Sequence, residues 1–107
     1  MPRPLRRIDP DLVYHVLNRG NRRMRLFRKP QDYQAFVDVL IEGLKRHRIK
    51  LYGWCIMPNH WHLVLQPATA GELPAFMRYI TLTHARRHHG HHGRASGHLY
   101  QGRYKWT

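Results

Sequence analysis

Two histidines separated by one residue stand in the segment Leu51 to Pro67, LYGWCIMPNHWHLVLQP. Successive side chains of a β-strand point to opposite faces, so a strand would place His60 and His62 on one face and Trp61 on the other. Imidazole nitrogens are common ligands of divalent metals, and a pair on a rigid strand can also contact a phosphate. The segment therefore predicts metal or phosphate binding by the two histidines.

The residues around the pair predict the hairpin that would position it. Pro58 and Asn59 are turn-forming residues between two runs with strand-like composition. After the turn, Trp61, Leu63 and Leu65 form an unbroken apolar row, which is what a sheet face needs if helices are to pack on it. The histidines are then expected on the opposite, open face.

The remaining elements follow from changes in the period of the apolar residues. Leu12 to Asn18 reads as the first strand, and Gly97 to Trp106 as a last strand bent or bulged at Gly102. Helices are predicted from Gln31 to His47 and from about Leu73 to His89. The order β-α-β-β-α-β predicts an α+β, ferredoxin-like fold, with two helices on one face of an antiparallel sheet.

The helices are expected to bury their apolar stripes. In the first helix the stripe is Tyr33, Phe36, Val37, Leu40, Ile41 and Leu44. In the second it is Leu73, Phe76, Met77, Ile80 and His84. The histidine-rich run from His88 to Gly93 lacks a carboxylate or cysteine that would fix a coordination geometry, so it is interpreted as a flexible basic loop and not as a metal site.

Composition limits the function. The chain of 107 residues fits a single domain, 1–107, with an extended N-terminal arm at 1–10. Nineteen Lys and Arg against six Asp and Glu give a formal charge of +13, which favours a nucleic-acid partner over a membrane surface. No apolar run is long enough to span a membrane, so a cytoplasmic location is expected. The single cysteine, Cys55, is predicted to be a small buried side chain.

Several basic residues are candidates for contacts with a phosphate backbone. The turn RGNRR after the first strand combines backbone amides with guanidinium groups, which suits a phosphate clamp. His15 would join the histidine pair if its face of the first strand is the open one. The candidates by position are Arg19, Arg22, Arg23, Arg78, Arg86, Arg87, Arg103 and Lys105.

Two common metal motifs fit the histidine pair poorly. A cupin site wants a glutamate three or four residues beyond the second histidine, where this chain has Gln66 and Pro67. A hydrolase of the His-x-His-x-Asp type needs a carboxylate where Val64 stands. The third option is the HUH motif, which places two histidines around a hydrophobic residue on the central strand of a ferredoxin-like sheet.

Four segments in order resemble one family. The segments YHVLNRGN, MPNHWHLVLQP, FMRYITLTHARRHH and GHLYQGRYK are similar to the REP-associated branch of the HUH single-tyrosine transposases, which occur in bacteria. The resemblance covers nearly the whole chain. It implies a DNA transposase or HUH endonuclease in which His60 and His62 bind Mg²⁺ or Mn²⁺, and a tyrosine attacks the scissile phosphate to leave a 5′-phosphotyrosine. It also implies single-stranded, hairpin-forming DNA as the partner, and leaves monomer and homodimer open.

The chain departs from this family at the nucleophile. The resemblance places the catalytic tyrosine on a helix after the last strand, and no such segment follows GRYKW. Tyr79 belongs to the second helix, while Tyr100 and Tyr104 belong to the last strand and are interpreted as packing or base-stacking residues. We therefore expect a metal- and DNA-binding core that is truncated before the tyrosine helix, with strand cleavage absent or very weak.

Two rival functions remain open at this stage. A non-catalytic module of the RNA-recognition type would stack bases on exposed aromatic residues, which Tyr52 and Trp54 could supply if they share the open face. Such a module has no use for two adjacent histidines. A small metal-dependent hydrolase is the more distant rival, and it would turn over without DNA.

Overall fold

The computed structural model describes residues 7–92 and 98–107. Four strands, two helices and a short 3₁₀ turn make up this part of the chain. The elements are β1 (Tyr14–Arg19), the 3₁₀ turn (Asn21–Arg23), α1 (Pro30–Arg46), β2 (Ile49–Met57), β3 (His60–Pro67), α2 (Glu72–His92) and β4 (Lys105–Trp106). Neither helix is both long and apolar enough to cross a membrane in the described residues.

The strands form one antiparallel sheet in the order β2-β3-β1-β4. β3 is therefore a central strand, with β1 on one side and β2 on the other. Met57 pairs with His60 across the two-residue turn at Pro58 and Asn59, as predicted. The element order and the strand order confirm the α+β, ferredoxin-like prediction.

The core lies between the helices and one face of the sheet. Trp61, Leu63 and Leu65 of β3 are fully buried, while the residues that alternate with them are not. On α2 the whole predicted stripe is buried: Leu73, Phe76, Met77, Ile80 and His84. The strand period of two and the helix period of 3.6 thus place both apolar surfaces against each other.

The predicted stripe of α1 is correct in part. Phe36 and Leu40 are buried, but Ile41 is 45% exposed, so its assignment to the core is wrong. Val39 and Gly43 take the buried positions instead. A Cβ at Gly43 would lie 2.9 Å from a ring carbon of Phe76, so the missing side chain permits close contact between the helices. Packing against α2 rotates the buried arc away from Ile41.

The end of α2 and the last strand differ from the prediction. α2 continues to His92, so the prediction of a flexible loop from His88 is wrong up to that residue; Gly93 lies outside the described residues. The helix continues through Gly90, because an isolated glycine lowers the stability of a helix by only about 1 kcal/mol relative to alanine. The predicted last strand begins at Gly97, which lies outside the described residues. Within the described part, Lys105–Trp106 pairs with β1, and Tyr100 forms an isolated bridge to Gly20.

The segment between these two pairings bulges away from β1, which agrees with the bent strand predicted around Gly102. At the other terminus, most of the proposed N-terminal arm lies outside the described residues. Its last residues are held in place, because Gln66 donates a hydrogen bond of 2.9 Å to the Pro10 carbonyl.

Candidate metal and nucleic-acid site

The two histidines lie on the open face of β3, as the alternation predicted. His60 and His62 are partly exposed, whereas the intervening Trp61 is fully buried. Their ring centroids are 5.0 Å apart and the ring planes meet at 83°. One cation or one phosphate can therefore contact both rings.

The turn that presents His60 is fixed by backbone hydrogen bonds from the β1–α1 loop. The Pro58 carbonyl accepts from the amides of Leu26 (2.7 Å) and Phe27 (3.1 Å), and the Asn59 carbonyl accepts from Gly20 (2.8 Å). A Cβ at Gly20 would lie 2.3 Å from the Met24 carbonyl oxygen, so only glycine allows this approach. The hairpin is consequently rigid where the histidines begin.

Both histidines use Nδ1 for a hydrogen bond to a neighbouring side chain. His60 Nδ1 lies 2.8 Å from Asn59 Oδ1. Because an amide oxygen accepts but never donates, Nδ1 of His60 carries the proton and Nε2 carries the free lone pair. His62 Nδ1 lies 2.8 Å from Nε2 of His15 on β1. In each ring Nε2 is the nitrogen left for a ligand.

His15 thus joins the pair, the outcome that sequence left conditional on its face. In β1, Tyr14 and Val16 are buried while His15 and Leu17 are partly exposed, which places His15 on the open side. The signal was present in the alternation of apolar residues, but the neighbour of β1 in the sheet had to be known before the contact with His62 followed.

The environment of His62 favours its neutral form. Burial lowers the pKa of His62, and the positive charges of His15, His60 and Arg19 lower it further. A histidine must be neutral to donate its lone pair to a metal. The surroundings therefore keep His62 in the form that binds metal at neutral pH.

The histidine pair fits a divalent cation as a partial site. In residues 7–92 and 98–107, no three or more histidine, cysteine, aspartate or glutamate side chains are arranged to hold a metal ion. The two Nε2 atoms can still supply two ligands, and phosphate or water oxygens can supply the others. Imidazole donors without a carboxylate suit Mn²⁺ better than Mg²⁺, which prefers oxygen.

Basic residues surround the end of the open face nearest His60. Arg19 is the cross-strand partner of His60. Arg19, Arg103 and Lys105 line a cavity of about 230 Å³, together with Leu17, Asn18, Gln101 and Gly102. The bulge before β4 forms the far wall of this cavity. The cavity offers three cations to an anionic ligand, and one of them, Arg19, is the cross-strand partner of His60.

The arginine turn after β1 has an unusual backbone. Arg22 and Arg23 have φ values of 53° and 60°, the left-handed region that side chains other than glycine rarely adopt. Hydrogen bonds from the amides of Arg23 to Gly20 and of Met24 to Asn21 hold this conformation. Neither arginine is buried, so both guanidinium groups are free to contact a ligand beside the hairpin.

Comparison with known proteins decides the family. The family described as "Transposase IS200 like" matches residues 10–107, nearly the whole chain. The chain belongs to the IS200-like transposase family. Comparison with curated proteins gave no match.

Two solved structures share the fold of this transposase. A candidate transposase from Deinococcus radiodurans R1 is 21% identical, with a TM-score of 0.74 over 90% of this chain and 77% of that one. A REP-associated tyrosine transposase bound to a REP hairpin is 16% identical, with a TM-score of 0.74 over 100% of this chain and 61% of that one. This transposase chain therefore spans less than two thirds of the second protein.

The three candidate arginines on α2 lie on the helix layer, not beside the histidines. Arg87 is occupied by an ion pair with Glu42 of α1, with contacts of 2.5 and 3.0 Å. Arg86 and Arg78 line a cavity formed by α2 residues and His47, which caps α1. Arg78 also lines a second cavity with Arg103 at the β4 edge. Of the three, only Arg78 adjoins the basic residues of the open face.

No tyrosine of the transposase chain is positioned beside the histidine pair. Tyr100 is buried, and its hydroxyl contacts Trp61 and His84. Tyr52 lies on the open face, but its hydroxyl donates to Gln66, which is four residues beyond His62, or about 13 Å along the strand. The other four tyrosines are Tyr14 in the core, Tyr33 and Tyr79 on the helices, and Tyr104 beside Arg78.

A β-bulge in β2 changes two predictions about the open face. The register shifts between Leu51 and Gly53, so the residues beyond it change sides. Cys55 is therefore the exposed cross-strand partner of His62, and the prediction that it is buried is wrong. Trp54 pairs with the buried Leu63, so it does not share a face with Tyr52, although it is 62% exposed.

Proposed function

We propose that this chain is the metal- and DNA-binding core of a transposase that acts on single-stranded or hairpin DNA. One observation carries the proposal. His60 and His62 present free Nε2 atoms on an uncovered sheet face, and Arg19, the cross-strand partner of His60, lines a cavity together with Arg103 and Lys105. This arrangement suits a phosphodiester held between a metal and a cationic cluster.

DNA is the partner that the charge and the relatives support. The formal charge of +13 needs a polyanion, and the structurally similar REP-associated transposase is bound to a REP hairpin. The exposed cations Arg19, Arg22 and Arg23 lie next to the histidine hairpin, so a backbone could pass from the turn onto the open face. Since the proposed partner is DNA, we place the activity in the cytoplasm; either a monomer or a homodimer is compatible with it.

The roles of the residues follow from their chemistry. A divalent cation, Mn²⁺ or Mg²⁺, would polarise the scissile phosphate when it is bound. His60 and His62 would hold it through Nε2, while Arg19, Arg103 and Lys105 orient the adjoining phosphates. Trp61, between the two histidines on β3, is fully buried on the helix-covered face of the sheet and holds this part of the strand in place.

We further propose that residues 1–107 alone bind DNA without forming a covalent adduct. The family reaction implied by the motifs needs a tyrosine hydroxyl in line with the phosphate. Tyr14 and Tyr100 are buried, Tyr33 and Tyr79 lie on the helices, and Tyr52 is distant along the sheet. Tyr104 directly precedes β4, which β1 separates from the strand of the histidines. A phosphotyrosine adduct between purified residues 1–107 and a hairpin oligonucleotide in Mg²⁺ would contradict this part of the proposal.

Metal binding provides the first test. Titration of Mn²⁺, followed by the electron paramagnetic resonance signal of the free ion, should show one site in the wild-type chain. His60→Ala and His62→Ala should each lose at least tenfold in affinity and in Mn²⁺-dependent hairpin binding. His89→Ala, on α2, is the matched control and should bind as the wild type does. Equal Mn²⁺ binding by all four proteins would refute the site.

The exposed Cys55 provides a second test, of which face binds DNA. It is the only cysteine and lies opposite His62. Hairpin DNA should slow its alkylation by a maleimide by about tenfold or more if the DNA covers the open face. In a Cys55→Ser, Leu82→Cys control, the new thiol stands at a position that is 59% exposed on α2 and should react equally fast with and without DNA. Protection of the control alone would place the DNA on the helices.

The RNA-recognition alternative is not favoured. The family match assigns the chain to transposases, and the bulge in β2 separates the two aromatic residues that a stacking platform would need on one face. Indifference of DNA binding to both Mn²⁺ and His60→Ala would revive it.

A further inference from the structure

We propose that His15 is a positioning residue that holds His62 in the tautomer needed for metal binding. The inference rests on the proposed metal site and adds a residue to it. It starts from one contact on the open face, the 2.8 Å distance between His15 Nε2 and His62 Nδ1. The two rings are nearly parallel, at 7°, with centroids 5.0 Å apart.

These distances define an in-plane hydrogen bond. Parallel rings that stack face to face cannot bring two atoms closer than their van der Waals separation of about 3.4 Å. The 2.8 Å contact between nitrogens therefore requires the rings of His15 and His62 to meet edge to edge. One nitrogen donates along the ring plane and the other accepts.

The direction of this bond decides which nitrogen of His62 can bind a metal. Nδ1 of His62 is occupied in either case, so only Nε2 remains. A neutral imidazole carries one proton, and Nε2 keeps its lone pair only if that proton is on Nδ1. Nδ1 of His62 must then donate to Nε2 of His15, and His15 carries its own proton on Nδ1. His15 thus serves as a hydrogen-bond acceptor.

The neighbouring ligand shows the same arrangement with a different acceptor. Asn59 Oδ1 accepts from His60 Nδ1 at 2.8 Å, and an amide oxygen leaves no choice of direction. Both proposed ligands would therefore carry Nδ1–H and present Nε2. One acceptor comes from the hairpin turn and the other from β1. Metal-binding histidines are commonly oriented by such acceptors on the second ring nitrogen.

The variants of His15 separate an acceptor from a mere space filler. His15→Gln provides a side-chain oxygen that can accept a hydrogen bond from His62. His15→Leu removes the acceptor and replaces it with an apolar side chain of similar size. We expect His15→Leu to weaken Mn²⁺ binding about 10- to 100-fold and His15→Gln to stay within about threefold of the wild type. Val64→Ala, at the open-face partner of His15 on β3, is the matched control and should change the affinity less than threefold.

A measurement without metal tests the tautomer directly. In metal-free protein, long-range ¹H–¹⁵N spectra of the imidazoles should show His62 protonated on Nδ1 in the wild type and in His15→Gln. In His15→Leu the Nε2–H form should become populated. A purely structural role of His15 would lower the unfolding midpoint but leave the tautomer of His62 unchanged.

The outcomes distinguish this inference from the proposed function. His62 protonated on Nε2 in the metal-free wild type, or His15→Leu binding Mn²⁺ like the wild type, would overturn the role of His15. If the wild type binds no Mn²⁺ at all, the metal site itself fails. The tautomer measurement still decides in that case whether His15 accepts from His62.

Discussion

The two sides of β3 carry two histidine networks that differ in burial. On the open side, His15 contacts His62 in partial solvent. On the closed side, Trp61 Nε1 donates to the Tyr100 hydroxyl at 2.9 Å, and that hydroxyl lies 2.5 Å from Nδ1 of His84. His62 and Trp61, which are neighbours on β3, thus belong to two different networks: His62 to the one on the open face and Trp61 to the one in the core.

The direction of the buried network follows from its donors. An indole N–H can only donate, so the Tyr100 oxygen accepts from Trp61, and the hydroxyl proton is then available to Nδ1 of His84. His84 is packed against Phe27 and Phe36, with centroid distances of 5.5 and 4.9 Å. Burial lowers the pKa of His84 to about 3, and it also raises the pKa of Tyr100. Both groups are neutral in the folded protein at physiological pH.

The two networks show that the degree of burial decides whether a histidine in this protein packs in the core or faces a ligand. His84 cannot take up a proton without losing its place in the core, so its titration is linked to folding. His62 loses less solvent and keeps a nitrogen exposed, so its neutral form is available to a ligand. Three predictions test this division, from the largest expected effect to the smallest.

The largest effect is the acid sensitivity contributed by His84. An unfolded histidine takes up a proton near pH 6.5, whereas folded His84 does so near pH 3, so the unfolded state binds more protons between these values. Stability must therefore fall as the pH falls through this window, by up to about 4 to 5 kcal/mol from this group. His84→Gln keeps a hydrogen-bond acceptor for Tyr100 without this titration.

Urea unfolding at a series of pH values measures the difference. At pH 7 the His84→Gln variant should be less stable than the wild type, because the ring fills the space between the helices. Between pH 6.5 and pH 4 the gap should narrow by about 3 kcal/mol. His98→Gln, at an exposed position, controls for the exchange itself. Parallel curves for His84→Gln and the wild type would show that His84 is not the linked group.

The second prediction separates the two networks. Tyr100→Phe removes one hydroxyl and leaves Trp61 Nε1 and His84 Nδ1 without this partner, at a cost of about 2 to 4 kcal/mol. Mn²⁺ affinity should stay within about threefold of the wild type, since no atom of the open face changes. Tyr104→Phe, in a half-buried ring, should cost less than about 0.5 kcal/mol. Loss of Mn²⁺ binding in a folded Tyr100→Phe protein would mean that the two sides of β3 are coupled.

The sequence predicted the parts of the site that depend on local periodicity. His60 and His62 alternate with three apolar residues, and that pattern alone places them on the open face. It also predicted the stripe of α2 and the bulge near Gly102. Such features are visible in the sequence because they arise within one element.

The parts that failed depend on contacts between elements. The prediction that Cys55 is buried follows from its place inside an apolar strand, but one extra residue at the bulge reverses the faces beyond it and exposes the side chain. Ile41 is exposed because α1 turns Val39 and Gly43 toward α2. The contact of His15 with His62 required the strand order, which periodicity cannot supply.

The smallest effect concerns two arginines that sequence could not rank. Arg19 is exposed and is the cross-strand partner of His60. Arg87 instead forms a hydrogen-bonded ion pair with Glu42, and this hydrogen bond lowers the pKa of the Glu42 carboxyl. If Arg19 contacts a phosphate, Arg19→Ala should reduce the slope of log affinity against log salt by about 0.7 if that phosphate is in a single strand and about 0.9 if it is in the duplex stem. Arg87→Ala is the matched variant on the helix layer and should leave that slope unchanged. Filter binding of one hairpin oligonucleotide across a salt series measures both slopes. Only a cation that replaces counterions on the DNA backbone can alter the slope. A reduced slope in Arg87→Ala alone would therefore place the DNA on the helices.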